Sequence, residues 1–184
     1  MNRNRAILLA VIQIALVLSI AGKYLYERKT CPRVWVRTAQ FDPNMPMRGR
    51  YLALQLSVDS CGLPHDEKSK RMVIGPASAN LASTEYQWTV RPTAQNGKLV
   101  AALATDRDRP EETELLTQWT NRTCDRAVLS SPVDYYIPDT ARTPFPLKPG
   151  QELWVEVTVP PMGPPRPIQL AMSENGTFTP LMLD

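Results

Sequence analysis

The sequence predicts a mainly β protein: a single antiparallel β domain, a sandwich or partly open barrel of about seven to nine strands, behind one N-terminal transmembrane helix. Three observations lead to this prediction. Beyond residue 30 the apolar residues recur with a period of two. Two Asn-Gly dipeptides lie between runs of β-forming residues. The 184 residues include 18 prolines, which disfavours a helical bundle because a proline inside a helix removes a hydrogen bond and clashes with the preceding turn.

Residues 1–29 are predicted to form a membrane anchor and a juxtamembrane linker, and residues 30–184 the β domain. The apolar run from Ala6 to Gly22 holds one strongly polar residue, Gln13. Counted on to Tyr26, and so across Lys23, whose side chain can reach the interface, the segment has 21 residues. That length suffices to cross about 30 Å of hydrocarbon. The membrane contact is therefore assigned to Ala6 to Tyr26. A cleaved signal peptide ending near Ser19-Ile20-Ala21 is the alternative.

The charge distribution argues against a nucleic-acid partner. Five of the 21 basic residues but only one of the 18 acidic residues precede residue 30, so the rest of the chain is close to neutral. The basic excess belongs to the flanks of the membrane segment, so a nucleic-acid partner loses its main electrostatic argument. A short N-terminus before a long domain favours the N-terminus inside and the domain outside.

Seven runs of residues read as strands, and two pairs of them as hairpins closed by Asn96-Gly97 and Asn175-Gly176. The strands are Val34–Thr38, Tyr51–Leu56, Tyr86–Val90, Leu99–Leu103, Glu152–Val159, Ile168–Met172 and Thr177–Thr179. The clearest alternation buries one face of the fifth strand, formed by Leu153, Val155, Val157 and Val159. The segment Pro110–Trp119 is predicted to be helical, because it opens with proline followed by acids.

The three cysteines, Cys31, Cys61 and Cys124, contain no C-x-x-C pair, which disfavours a zinc ribbon or a thioredoxin-like site. In an oxidising compartment one pair is expected to bridge. Cys31 lies nine residues beyond the apolar run, close to the bilayer. A disulfide between Cys61 and Cys124 is therefore favoured, although three pairings are open.

The most specific pattern in the chain is DPNMPMRGRYLALQL, from Asp42 to Leu56. It resembles the bacterial GDYXXLXY family, which is named for a Gly-Asp-Tyr-x-x-Leu-x-Tyr stretch that follows an Asp-Pro pair. The matching residues are Asp42, Pro43, Gly49, Tyr51 and Leu54. Arg50 replaces the acid of the family pattern, and Leu56 replaces its last tyrosine.

A second, looser match lies at Tyr135-Tyr136-Ile137-Pro138-Asp139, where the family tends to have Tyr-Phe-Val-Pro-Glu. The resemblance implies a small anchored domain on the outer side of the bacterial cytoplasmic (inner) membrane, with a single-pass anchor and a C-terminal domain that faces the periplasm or the cell exterior. It implies no enzymatic activity.

Two interpretations of this pattern are open. Pro43 and Gly49 can shape a turn ahead of a strand, so that the pattern serves only the fold. Alternatively, Arg48 and Arg50, in a loop that also carries methionines, have the composition of an interface. The candidate interaction residues are Asp42, Pro43, Arg48, Gly49, Arg50, Tyr51, Leu54, Tyr136, Pro138 and Asp139.

The sequence contains no residue set that we assign to catalysis, to a cofactor or to a metal. His65 is expected in a solvated, charged loop. Asn44-Met45-Pro46 resembles the start of a signal-peptidase-like site, but Asn44 stands where such enzymes need serine. We therefore expect a non-enzymatic accessory or interaction module with a membrane-protein or envelope-protein partner. The alternative is a degenerate or unusual hydrolase on a signal-peptidase-like β scaffold.

Overall fold

A computed structural model describes residues 3–40, 51–74, 82–138, 140, 144, 147–174 and 176–181. The chain divides into two compact units, Met1–Cys31 and Pro32–Asp184, two residues beyond the boundary expected from the sequence.

The first unit is the helix α1, Arg3–Thr30. Its 28 residues span about 42 Å at 1.5 Å per residue, which exceeds the hydrocarbon thickness of a bilayer. Its leucine, isoleucine and valine side chains are exposed. The helix is long and apolar enough to cross a membrane, a property that an N-terminal signal sequence shares.

The second unit is a β domain with eleven strands among the described residues. The strands are β1 Arg33–Gln40, β2 Tyr51–Val58, β3 Lys70–Ile74, β4 Ala82–Gln95, β5 Lys98–Leu103, β6 Glu114–Trp119, β7 Ala127–Leu129, β8 Val133–Tyr136, β9 Gln151–Thr158, β10 Arg166–Glu174 and β11 Thr177–Leu181. All of their pairings are antiparallel. The predicted fold class is confirmed.

The strands follow the order β11-β10-β9-β1-β2-β7-β6-β4-β3, with β5 paired to β4 and β8 paired to β2. A parallel bridge between Asp59 and Val100 brings β5 against the end of β2. Among the described strands the sheet is not closed into a barrel. Four of the eleven strands were not named from the sequence. β3, β7 and β8 are only three to five residues long and show little periodicity, and β6 lies in the segment that was predicted to be helical.

The core is formed by the alternate residues of the long strands, as the period of two requires. In β9 and the residue directly after it, the predicted face of Leu153, Val155, Val157 and Val159 is buried. In β2 the predicted face of Leu52, Leu54 and Leu56 is buried as well. Ala53, which was expected on the opposite face, is also buried.

Both predicted hairpins are present. In the first, Gln95 pairs with Lys98 across a two-residue turn, and Asn96 and Gly97 have φ of 50° and 75°. Two consecutive positive φ angles are what a type I′ turn requires, and its twist matches that of the flanking strands. In the second, Glu174 pairs with Thr177, and Gly176 has φ of 83°. Asn175 lies outside the described residues.

The predicted helix over Pro110–Trp119 is wrong. The chain makes one short 3-10 turn at Pro110–Glu112 and then enters β6. β6 lies between β4 and β7, so its backbone is hydrogen-bonded on both sides. Leu116 packs into the core from this strand. Long-range pairing and burial therefore override the local helix-start signal.

Neighbouring leucines of β6 provide a matched test of this arrangement. Leu116 is fully buried, whereas Leu115 is 43% exposed. Leu116→Ala is expected to lower the free energy of unfolding by about 2–5 kcal/mol, since it leaves a cavity in the core. Leu115→Ala is expected to change it by less than about 1 kcal/mol.

The measurement is a denaturant titration of the full chain in detergent micelles, followed by tryptophan fluorescence. All four tryptophans lie in the β domain, so the signal reports on that unit alone. Equal effects of the two substitutions would show that β6 does not present Leu116 to the core.

Candidate functional site

The structure brings together the two segments that carry the family resemblance. β2 pairs with β8 so that Tyr51 lies opposite Tyr136 and Leu54 opposite Val133. The rings of Tyr51 and Tyr136 are in contact, with centroids 6.3 Å apart. Of the other candidate interaction residues, Asp42, Pro43, Arg48, Gly49, Arg50 and Asp139 lie outside the described residues.

The motif residues that are described differ in what they can do. Leu54 is fully buried in the core, so it serves the fold and cannot contact a partner. Tyr136 is 74% exposed, Tyr51 is half-buried beside it, and Pro138 is exposed. We call Tyr51 and Tyr136 the tyrosine pair. It forms an exposed aromatic surface directly after residues 48–50 in the sequence.

The predicted disulfide between Cys61 and Cys124 is present, with Cα atoms 4.8 Å apart and a sequence separation of 63. It ties the segment after β2 to the segment that joins β6 to β7. The backbone N–H of Ser60 donates to the carbonyl of Cys124 at 2.9 Å, and the buried Ser60 hydroxyl lies 2.7 Å from the same oxygen. Cys31 is a free cysteine.

Beside this disulfide lies a concave polar site. This site was not predicted from the sequence. It is a cleft of about 1000 Å³ that we call the arginine cleft. Its lining comes from β9, β1, β2, β7 and β6, which are consecutive in the sheet, and from the segment between β6 and β7. The charged residues in the lining are Arg37, Arg122, Arg126, Asp125 and Glu152.

The charges in the arginine cleft are partly balanced. Arg37 Nη2 forms an ion pair with Glu152 Oε1 at 2.5 Å. The guanidinium of Arg122 lies 4.6 Å from the ring centroid of Trp119, which is cation–π geometry. A hydrogen bond from the Thr123 side chain, followed by the positive charges of Arg126 and Arg37, holds the pKa of Asp125 below its ordinary value. Asp125 is therefore ionised at neutral pH.

His65 is an exposed loop residue, as expected. Its ring packs edge-on against Tyr86 and Trp88, with centroids 4.9 and 5.3 Å away. Its Nε2 lies 3.1 Å from Oε1 of Gln118, the same oxygen that the Ser60 hydroxyl approaches at 2.8 Å. An amide thus stands between the histidine and the serine. Within the described ranges no group of three or more metal-ligating side chains occurs.

The arginine cleft could not be predicted from the sequence because its lining residues come from segments that are far apart along the chain. Arg37 belongs to β1, Glu152 to β9, and the two other arginines to the β6–β7 segment. The one local signal was the polar run Asn121-Arg122-Thr123 immediately before Cys124. Its significance depends on the disulfide and on which strands are neighbours.

Comparison of the chain with protein-family models, with curated proteins and with solved structures gives no match.

The disulfide is expected to contribute substantially to stability because it closes a long loop. Replacing both partners, Cys61→Ser with Cys124→Ser, is expected to lower the free energy of unfolding by about 2–5 kcal/mol. Cys31→Ser is the matched control, since it leaves the bridge intact, and is expected to change the value by less than about 0.5 kcal/mol. Urea titrations of the full chain measure both, and an unchanged midpoint in the double variant would contradict the assigned role of the bridge.

Asp125 is expected to make stability depend on acid pH. Its pKa is lower in the folded chain than its unfolded value near 3.8, so its contribution is complete above that value and is lost as the pH falls through the folded pKa. Asp125→Asn is therefore expected to lose less stability than the parent chain between about pH 5 and pH 2. Asp134→Asn, on β8 and outside the arginine cleft, is the control. If the free energy of unfolding of Asp125→Asn fell by the same amount as that of the parent over this pH range, the linkage to Asp125 would be ruled out.

Proposed function

We propose that this chain is a single-pass protein of the bacterial cytoplasmic (inner) membrane whose β domain faces the periplasm or the cell exterior. The domain acts without catalysis, by contacting another membrane or envelope protein. The observation that carries the proposal is the tyrosine pair, an exposed aromatic contact at the one place where both parts of the sequence pattern meet.

Two features support the proposed location. The helix α1 is long and apolar enough to span a bilayer. The Cys61–Cys124 disulfide belongs to an oxidising compartment, because thiols in the cytosol are kept reduced. Together they favour an anchor in the membrane and a folded domain on its outer side.

The exposure of Tyr136 supports the proposed contact. A tyrosine ring that is 74% exposed stabilises the fold little, since most of its apolar surface stays in water. Tyrosine and arginine are enriched in protein interfaces, where a rigid ring supplies contact area and a guanidinium supplies hydrogen bonds. Arg48 and Arg50 directly precede Tyr51 in sequence, which places both residue types in one short segment.

The same arrangement supports membership of the GDYXXLXY family as part of the proposal. The two matched segments are about 80 residues apart in sequence, yet they are hydrogen-bonded neighbours on β2 and β8. The hydrolase alternative gains no such support, since His65 contacts the amide of Gln118 rather than a nucleophile.

Photo-crosslinking in living cells tests the proposed contact. A crosslinking amino acid replaces Tyr136 in one chain and Arg50 in a second, and Asn96 at the tip of the β4–β5 hairpin serves as the exposed control site. We expect a discrete adduct of the same mass from the first two sites and none from the control. The same adduct pattern from all three sites, or none from Tyr136 and Arg50 at normal protein levels, would contradict the proposal.

Tyr136→Ser separates a contact role from a purely structural one. The contact role predicts that the adduct formed from Arg50 is lost while the melting temperature of the chain stays within about 2 °C of the parent. If the tyrosine pair served only the fold, the melting temperature would fall and the adduct would persist in the folded fraction.

A further inference from the structure

The arginine cleft spans neighbouring strands, and at β2 it lies on the side opposite the core. The buried Thr38 and Leu153 contribute to its lining from β1 and β9. In β2 its lining residues Gln55 and Ser57 alternate with the buried Leu54, Leu56 and Val58. Five consecutive strands contribute to it, so it runs for roughly 19 Å at about 4.8 Å per strand spacing. That length matches about six residues of extended polypeptide at about 3.3 Å per residue.

The arginine cleft contains three arginines, and two of them form no ion pair with the described residues. Arg37 is paired with Glu152, but Arg122 and Arg126 form no ion pair in the part of the chain that the structure describes. Arg122 is oriented by the ring of Trp119. Stacking on an aromatic ring leaves the N–H groups of a guanidinium at its edge free to donate hydrogen bonds.

The backbone that carries these arginines is held in place. Cys124 is joined covalently to Cys61, and its carbonyl accepts a hydrogen bond from Ser60. The N–H of Arg122 donates to the carbonyl of Trp119, and that of Arg126 to the carbonyl of Thr123. A ligand that binds here does not have to order this segment, which reduces the entropic cost of binding.

A smaller cavity of about 310 Å³ shares its charged residues Arg37, Arg126, Asp125 and Glu152 with the arginine cleft. It adds the charged residues Asp59 and Lys98 and the aromatic residues Trp35 and Trp154. The Nε1 atom of Trp154 is buried and has no hydrogen-bond partner among the described residues. A buried donor without an acceptor costs free energy.

We propose that the arginine cleft binds an acidic peptide segment in an extended conformation. Carboxylates match the fork of donors on Arg122 and Arg126. The amides of Gln55 and Gln151 and the hydroxyl of Ser57 suit a peptide backbone. Asp125 and Glu152 also face the arginine cleft and disfavour a dense polyanion such as nucleic acid. The proposal concerns residues other than the tyrosine pair and does not depend on that contact.

The test uses the full chain in nanodiscs of zwitterionic lipid and a fluorescein-labelled peptide, acetyl-(Gly-Glu)₃-amide. Its twin with glutamine in place of glutamate is the uncharged control. Fluorescence anisotropy is expected to show saturable binding of the glutamate peptide and affinity at least about tenfold lower for the glutamine peptide. Equal affinity for the two peptides, or no binding of either, would overturn the proposal.

Matched variants locate the site. Arg122→Ala with Arg126→Ala is expected to weaken binding at least about tenfold, while Arg71→Ala with Arg107→Ala removes the same charge outside the arginine cleft and leaves the affinity unchanged. The pair Arg122→Lys and Arg126→Lys keeps the charge but loses the fork, so an intermediate affinity is expected, and this pair also serves if the alanine variant unfolds.

Two further results would overturn the assignment. One is equal weakening by the control pair, which would indicate attraction to the whole surface. The other is complete displacement of the peptide by inorganic phosphate at the peptide's own concentration, which would indicate a simple anion site. Because the assay contains no other protein than the purified chain in its nanodiscs, its failure leaves the crosslinking result of the tyrosine pair unaffected.

Discussion

The pairing of strand β2 with three neighbours is the constraint on which both candidate surfaces depend. β1, β8 and β7 hydrogen-bond to β2, and Leu54, Leu56 and Val58 anchor it with fully buried side chains. Its first residue, Tyr51, forms the tyrosine pair with β8. Its outward side chains line the arginine cleft, and Cys61 follows three residues after its end. A shift of its register by one residue would move the leucines to the outer face and dismantle both surfaces.

The two surfaces differ in how they are held. The tyrosine pair depends on cross-strand contact alone, and most of the surface of Tyr136 remains in water. The arginine cleft depends on a covalent bond as well, because the disulfide fixes the segment that carries Arg122 and Arg126. Reduction would therefore act mainly on the arginine cleft. The arginine cleft as described therefore depends on conditions in which this disulfide stays oxidised.

Most of the fold could be predicted from the sequence because its signals are local. The period of two located the long strands, and Asn96-Gly97 located a hairpin through the positive φ angles that a type I′ turn requires. The Pro110–Trp119 prediction failed because pairing of β6 with β4 and β7 outweighs a local helix start. The arginine cleft could not be predicted, since Arg37, Glu152 and Arg122 meet only through strand order. The resemblance of the pattern around Tyr51 to the GDYXXLXY family stays a prediction, and its Leu54 is a core residue.

Hydrogen–deuterium exchange on the full chain in nanodiscs tests the organising role of β2 most directly. If β2 holds both surfaces in place, the amides of residues 52–58 should exchange only through global unfolding. Their exchange rates should then be well below those of β3 and β11, the two strands at the ends of the strand order. Reduction of the disulfide should then accelerate exchange at residues 120–126 while β2 stays protected. Exchange in β2 as fast as in β3 and β11 would contradict the account, because both surfaces would then lack a rigid support.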